Sequence, residues 1–101
     1  MSLLCFDISS GGISVALFNS QLETGQVIEK PWVLETDDRG AATLTVEGIG
    51  RGFKDAISGL KLTPGTTIDA ICIGTFMHNF VLLDGAGQPL SPVFTWRDSR
   101  G

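Results

Sequence analysis

The sequence of 101 residues has no excess of positive charge: seven Lys and Arg stand against 11 Asp and Glu, which leaves a net charge of −4. This balance argues against binding to nucleic-acid backbones or anionic membranes. The longest apolar runs, such as Leu3–Phe6 and Phe80–Leu83, fall far short of the ~20 residues that span a bilayer. No basic region precedes the first apolar run, and Asp7 interrupts that run, so we expect a cytoplasmic protein without a signal peptide.

Side chains that commonly act as nucleophiles or metal ligands are also scarce, with two cysteines and one histidine. Cys5 and Cys72 each lie in a strand-like apolar stretch without a neighbouring Cys or His at metal-binding spacing, so we interpret both as buried, reduced thiols. His78 is the only histidine, and nothing in the sequence fixes a serine–histidine–acid triad. The absence of any Gly-Lys dipeptide excludes the Walker phosphate loop. What remains is the composition of an ordinary globular domain, 43% apolar and 18% charged.

The hydrophobic pattern of the N-terminal third predicts strands. Residues 3–8 and 13–18 are typical of buried strands, and the turn residues Ser9–Gly12 between them predict an antiparallel hairpin. A third extended segment, 26–35, contains Pro31 and is therefore predicted to be an edge strand or a bulged strand. Together these segments predict a three-stranded antiparallel meander.

The rest of the chain predicts one helix, a strand and a hairpin. After a loop at 36–42, apolar residues recur at helical spacing, namely Val46, Ile49, Phe53, Ala56, Ile57 and Leu60. The predicted helix ends near Lys61, before Pro64-Gly65. Residues 68–74 predict a further strand buried on both faces, and two segments, 79–84 and 89–96, flank a turn at Gly85–Gln88 as in a hairpin. The fold class is therefore α/β.

The strongest local signal for chemistry is Asp7 and the turn that follows it. A carboxylate at the end of a buried strand is costly unless it is hydrogen-bonded or faces a cation. The backbone N–H groups and hydroxyls of Ser9, Ser10 and Gly11 suit an anion. Two interpretations stay open: a site for Mg²⁺ and phosphate, or a plain hairpin whose Asp bonds its own turn.

A second group of candidate residues lies in the C-terminal third. His78 follows a predicted strand, where α/β proteins place ligands, although an ordinary polar contact explains a single histidine as well. Trp96, Arg97 and Asp98 combine an apolar plate, a cation and a carboxylate, which suits a polyhydroxylated ligand. Alternatively, Trp96 packs in the core and the two charges lie at the surface.

Two blocks of the sequence resemble the N-terminal segment of the FGGY carbohydrate kinases, members of the actin-like ATPase superfamily. Leu3–Asn19 resembles the opening hairpin of that family, with its phosphate-binding turn. Ile68–Arg100 resembles the sugar-binding strand and hairpin of the gluconate and xylulose kinase branches, above all in Ile71–Phe80 and Trp96–Arg100. The resemblance implies a partial ribonuclease H-like domain, with residues 1–101 as a single truncated N-terminal part of the first kinase domain.

The resemblance also implies roles for individual residues. Asp7 matches the residue that holds Mg²⁺, and Ser9, Ser10 and Gly11 match the first phosphate loop for ATP. Met77, His78, Trp96 and Asp98 match the residues that contact a sugar or sugar-acid substrate. The chain departs from the family pattern at one point, because Ser9-Ser10 stands where the family usually has Gly-Thr.

The implied function is that of a fragment of an ATP-dependent sugar kinase, which transfers the γ-phosphate of Mg·ATP to a sugar hydroxyl. The catalytic base, second phosphate loop and adenosine site of the family match no residue of this chain, so we expect no catalytic residue here and no activity of the chain alone. We also expect self-association through exposed sheet surface. The alternative is a stand-alone, non-catalytic α/β interaction module derived from such a kinase.

Overall fold

Residues 1–100, which the computed structural model describes, form two β-sheets and one α-helix. The elements are β1 Ser2–Ser9, β2 Gly12–Asn19, β3 Thr24–Pro31, β4 Glu35–Thr36, β5 Ala42–Leu44, α1 Val46–Gly59, β6 Ala70–Gly74 and β7 Val93–Phe94. The predicted α/β class is confirmed. No helix in residues 1–100 combines the length and apolar character that crossing a membrane requires.

The larger sheet has the strand order β3-β2-β1-β6. The predicted hairpin is confirmed: β1 and β2 pair antiparallel from Ser2–Asn19 to Ser9–Gly12. β3 pairs antiparallel with β2, with an irregularity in the register between Ala16 and Phe18. β3 lies at the sheet edge and ends at Pro31. Proline has no N–H to donate, and at this position the sheet loses no hydrogen bond because of it.

One face of the larger sheet carries the main core. Leu4, Phe6 and Ile8 alternate along β1, and they pack with residues of β2 and with Ala56 of α1. The expectation that β1 is buried on both faces is wrong, because Cys5 is only half-buried and Asp7 is exposed on the opposite face. Within residues 1–100 the single helix covers one face of the sheet only. Alternate residues of the apolar run in β1 are therefore buried, and the others are not.

Helix α1 confirms the prediction from apolar spacing. It begins after Thr45, whose side-chain oxygen accepts a hydrogen bond from the Gly48 N–H at 2.9 Å. Gly52 is needed for packing, since a Cβ there would lie 3.0 Å from the Trp32 ring. The helix ends at Gly59, so Lys61 lies beyond it rather than in its last turn.

β6 forms the second edge of the larger sheet. It runs parallel to β1, with pairs from Leu3–Ala70 to Asp7–Gly74. All five of its residues are exposed, and the expectation of a strand buried on both faces is therefore wrong. α1 packs on β2 and β3, which β1 separates from β6 in the sheet. Within residues 1–100 the helix therefore does not cover the side chains of β6.

The smaller sheet was not predicted. It has the order β4-β5-β7, with Thr43–Phe94 and Leu44–Val93 paired antiparallel. Its core consists of Leu34, Ala42, Leu44 and Val93. The predicted C-terminal hairpin is present but only loosely paired, through the bridges Phe80–Phe94 and Leu83–Pro89.

Candidate functional site

The candidate residues other than Asp98 come together at one edge of the larger sheet, the edge formed by the C-terminal ends of the strands β1 and β6. Because β1 and β6 are parallel and Asp7 pairs with Gly74, the ends of both strands lie at the same edge. The turn after β1 and the segment that carries Met77 and His78 both continue from there. Trp96 reaches the same edge, where its indole N–H donates to the Ser10 hydroxyl oxygen at 3.4 Å.

The turn between β1 and β2 is held by its own hydrogen bonds and by Trp32. The Trp32 indole N–H is shared between the carbonyl oxygens of Ser9 and Ser10, each at 3.1 Å. The Ser9 hydroxyl accepts from the Gly11 N–H and donates to the Gly12 carbonyl, both at 3.2 Å. The Ser9 side chain therefore folds into the turn and takes up the Gly11 donor.

Trp32 is a site residue that the sequence analysis missed. The sequence placed it in an apolar run of a predicted strand, where it looked like an ordinary core residue. In the structure its ring packs against both hydrophobic cores, while its N–H fixes the turn. The only available signal was the polar N–H that a packed tryptophan must satisfy.

Asp7 offers an exposed carboxylate beside this turn. Its Oδ1 lies 3.9 Å from the position that a Cβ would take at Gly74, so the absence of a side chain there leaves space next to the carboxylate. No group of three or more His, Cys, Asp or Glu in residues 1–100 has the arrangement of a metal site. A single carboxylate still fits Mg²⁺, which commonly keeps several waters and binds one or two carboxylates together with substrate phosphates.

Met77 and His78 lie on an exposed turn after β6. Met77 is 75% exposed, and His78 has a φ of 58°, in the left-handed region that non-glycine residues rarely adopt. The Asn79 side chain donates to the Phe76 carbonyl and braces this turn. The two predicted sugar contacts are therefore accessible, and one of them has a strained backbone.

Asp98 lies in a different environment from Asp7. One carboxylate oxygen accepts from the Ala42 N–H at 3.1 Å and from Arg100 at 2.7 Å. The other accepts from the backbone N–H and the Nε of Arg100, at 3.2 and 3.1 Å. The Arg100 guanidinium, followed by the Ala42 N–H, holds the pKa of Asp98 well below its usual range. Asp98 thus ties the C-terminal turn to β5, and its contact with a sugar stays a prediction.

A cavity of about 370 Å³ lies next to Asp98 and is lined by Phe80, Phe94, Thr95, Asp98 and Arg100. The Phe80 and Phe94 rings stack at 4.8 Å, and the Arg100 guanidinium lies 5.5 Å from the Phe94 ring centre. Of the predicted sugar residues only Asp98 lines this cavity. Its size suits a small molecule, but it differs from the edge where Met77, His78 and Trp96 are placed.

A second, shallower groove of about 260 Å³ lies beside the β1–β2 turn. Its lining includes Ser9, Gly11 and Gly12 from the turn and Lys30 from β3. Lys30 is a cation that the sequence analysis did not assign to the site, because only the pairing of β3 with β2 brings it near the turn.

The comparisons with known proteins support the fold. No family model matches the sequence, and no curated protein matches it. Among solved structures, a xyloylose kinase from Brucella ovis aligns over 99% of this chain with a TM-score of 0.91 and 19% identity. A xylulose kinase from Rhodospirillum rubrum aligns over 99% with a TM-score of 0.88 and 20% identity. A glycerol kinase from Plasmodium falciparum, solved with ADP, aligns over 98% with a TM-score of 0.76 and 18% identity.

The fold is thus that of the N-terminal part of these sugar and glycerol kinases, and the resemblance found in the sequence is confirmed at the level of fold. The chain spans about a fifth of the length of each, 22% for the two kinases of bacteria and 21% for the glycerol kinase. At this level of identity the comparison establishes architecture, and activity has to be argued from the residues.

Proposed function

We propose that the chain provides the first phosphate turn and one wall of the acceptor pocket of an ATP-dependent sugar kinase, as part of its first domain. The observation that carries this proposal is the convergence at one sheet edge of Asp7, the Ser9–Gly11 turn, the Met77-His78 pair and Trp96. The alignment with sugar kinases and with an ADP-containing glycerol kinase supports both the sugar and the nucleotide.

The chemistry of each group suggests a division of roles. Asp7 would hold Mg²⁺ through water, and the ion would neutralise charge on the transferring phosphoryl group. The Ser10 hydroxyl, which accepts a hydrogen bond from the Trp96 indole N–H, would contact the phosphate, because the Ser9 hydroxyl is engaged within the turn. Trp96 provides an apolar plate for the sugar ring, and His78 bonds a sugar hydroxyl. In this proposal these residues bind and orient the substrates, and the base for the attacking hydroxyl is supplied by a part of the kinase outside this set.

In-line phosphoryl transfer requires both reactants to be fixed, with effective molarities of ~10⁵ M or more arising only then. One phosphate turn and one pocket wall do not fix both. We therefore propose that the chain alone has no turnover and binds sugar weakly.

Chemical-shift mapping on the ¹⁵N-labelled chain tests this proposal directly, because it locates weak binding. We expect titration with xylulose, gluconate or glycerol to move the amide signals of Met77, His78 and Trp96 without saturating below millimolar concentration. We expect Mg·ATP to move those of Asp7 and the Ser9–Gly11 turn.

Two variants sharpen the mapping. His78→Ala should abolish the sugar-dependent shifts, whereas Gln21→Ala, in the turn at the opposite end of the sheet, should leave them unchanged. Shifts confined to the cavity lined by Phe80, Phe94 and Arg100, or no shifts at all, would contradict the assignment. Saturation at sub-millimolar sugar would contradict the idea of an incomplete pocket.

We also propose that the chain self-associates through the β6 edge of the larger sheet. Ile71 and Ile73 are 60% and 61% exposed, and β6 has a neighbour on one side only. An unprotected edge strand with apolar side chains pairs readily with another strand, and a second copy of β6 supplies one. This surface also favours the second candidate function, that of a non-catalytic interaction module.

A further inference from the structure

Cys5 and Cys72 lie side by side on neighbouring strands. They are direct partners in the parallel pairing of β1 with β6. Side chains in register on adjacent strands point to the same face, here the face opposite Phe6 and α1. Adjacent strands are about 4.7–4.9 Å apart, which falls within the Cα separation of about 4.4–6.8 Å that disulfides span. The fold therefore brings together two thiols that are far apart in the sequence.

The two thiols differ in their surroundings. Cys72 is exposed, whereas Cys5 is half-buried. Since attack on a disulfide needs access as well as thiolate, Cys72 is the thiol that reacts first with a molecule in solution. Cys5 is then placed to attack the Cys72 sulfur of the mixed disulfide and to displace the group bound to it.

We propose that Cys5 and Cys72 form a thiol pair that a small-molecule disulfide, such as oxidised glutathione, converts into a cross-strand disulfide. The Cys72 thiolate attacks one sulfur of the oxidant, whose S–S bond breaks and releases one thiol, leaving a mixed disulfide on Cys72. The Cys5 thiolate then attacks the Cys72 sulfur and expels the second thiol. Both cysteine protons end on the released thiols, so the protein loses two electrons and the oxidant gains them.

The disulfide would fasten the edge strand β6 to the centre of the sheet. It lies two residues before Asp7 on β1 and two residues before Gly74 on β6, close to the edge where the candidate site lies. The cross-link closes a long loop, so we expect the melting temperature of the oxidised chain to rise by at least about 5 °C. This inference does not depend on sugar or nucleotide binding.

The test is to treat the dilute, folded chain with oxidised glutathione and to follow its intact mass. We expect a transient glutathione adduct followed by a product lighter than the reduced chain by two hydrogens. Peptide mapping without reduction should identify a bond between Cys5 and Cys72, and a reductant should reverse both the mass change and the rise in melting temperature.

Two variants separate the steps. Cys5→Ser should stop at a stable glutathione adduct on Cys72, because nothing displaces it. Cys72→Ser should react many times more slowly, because only the half-buried Cys5 remains. Stable adducts on the unmodified chain, a disulfide between two chains, or equal reaction rates for the two variants would overturn the proposal. The mass of the unmodified chain alone decides the matter if a variant fails to fold.

Discussion

The left-handed backbone conformation of His78 allows us to predict how much this residue of the candidate site lowers the stability of the fold. His78 has a φ of 58° and lies on an exposed turn. For a non-glycine residue this conformation costs about 1–2 kcal/mol, because the Cβ approaches the following carbonyl oxygen. Glycine has no such penalty, but it loses about 0.5–1 kcal/mol more in chain entropy on folding. The difference predicts that His78→Gly stabilises the fold by about 0.5–1 kcal/mol, although it removes a proposed sugar contact.

The chain offers a matched control for this prediction at Leu22. This residue has a φ of 61° and is 68% exposed, but it lies in the turn between β2 and β3, away from the candidate site. Leu22→Gly should stabilise the chain by a similar amount without affecting the sugar-dependent shifts. His78→Ala should give no such gain, since it removes the imidazole and keeps the strained backbone.

Urea unfolding followed by circular dichroism, together with thermal melts, measures these differences. A gain of about 1 kcal/mol moves the melting temperature by roughly 4–8 °C in a chain of this size, which is well above experimental error. The reasoning would be refuted if His78→Gly were no more stable than His78→Ala while Leu22→Gly gained stability. That outcome would mean that contacts of the imidazole, and not backbone strain, determine the energetics of the turn.

Three further predictions concern the β6 edge, Asp98 and catalysis. Ile73→Lys puts a charge on the exposed edge strand and should shift the mass in light scattering from a dimer or larger species towards the monomer; a sharp monomer mass for the unmodified chain at high micromolar concentration would contradict self-association. Asp98→Asn should destabilise the fold at neutral pH. In urea unfolding, the difference in free energy of unfolding between this variant and the unmodified chain should shrink as the pH falls below about 4. The reason is that a carboxylate with a depressed pKa stabilises the fold at pH values above its unfolded-state pKa, and this stability is lost as the carboxylate is protonated. Asp38→Asn in an exposed loop is the control, and a pH-independent difference for Asp98→Asn would count against the ion pair. The chain should show no ATP-dependent phosphorylation of xylulose, gluconate or glycerol in a coupled assay, and measurable turnover that Asp7→Ala abolishes would show that the chain contains a complete site.

Local sequence signals account for the parts of the fold that were predicted correctly. The turn residues between β1 and β2 specify a hairpin within a few positions, and the apolar spacing of α1 reports a helical face within a single element. Pro31 marks an edge because its missing N–H excludes a central position. In each case the residues that determine the structure are close to one another in the chain.

The smaller sheet escaped prediction because its strands are short and its partners distant. β4 has two residues, β5 three and β7 two, too few for alternation to appear. Thr43 pairs with Phe94, far along the chain, and a single sequence carries no signal for such a pairing. The exposure of β6 was not predicted for a related reason. An apolar run indicates that a strand can be buried, but the whole fold determines whether a neighbouring layer covers it.

Asp7 and Asp98 show how far a single carboxylate can be interpreted from sequence. Both follow apolar segments, and the resemblance to sugar kinases assigned a functional role to each. In the structure the Asp98 carboxylate accepts four hydrogen bonds, three of them from Arg100 and one from the β5 backbone. Asp7 is exposed at the edge where the Ser9–Gly11 turn begins.

This contrast determines how substitutions at the two positions have to be compared. A change at Asp98 first loosens the attachment of the C-terminal turn to β5, so a loss of ligand binding there has to be measured against the loss of stability. A change at Asp7 removes an exposed charge with no such packing role, so the fold should remain intact. If Mg·ATP moves the turn signals in the unmodified chain and not in Asp7→Asn, with equal unfolding midpoints, the carboxylate acts on the ligand and not through the fold.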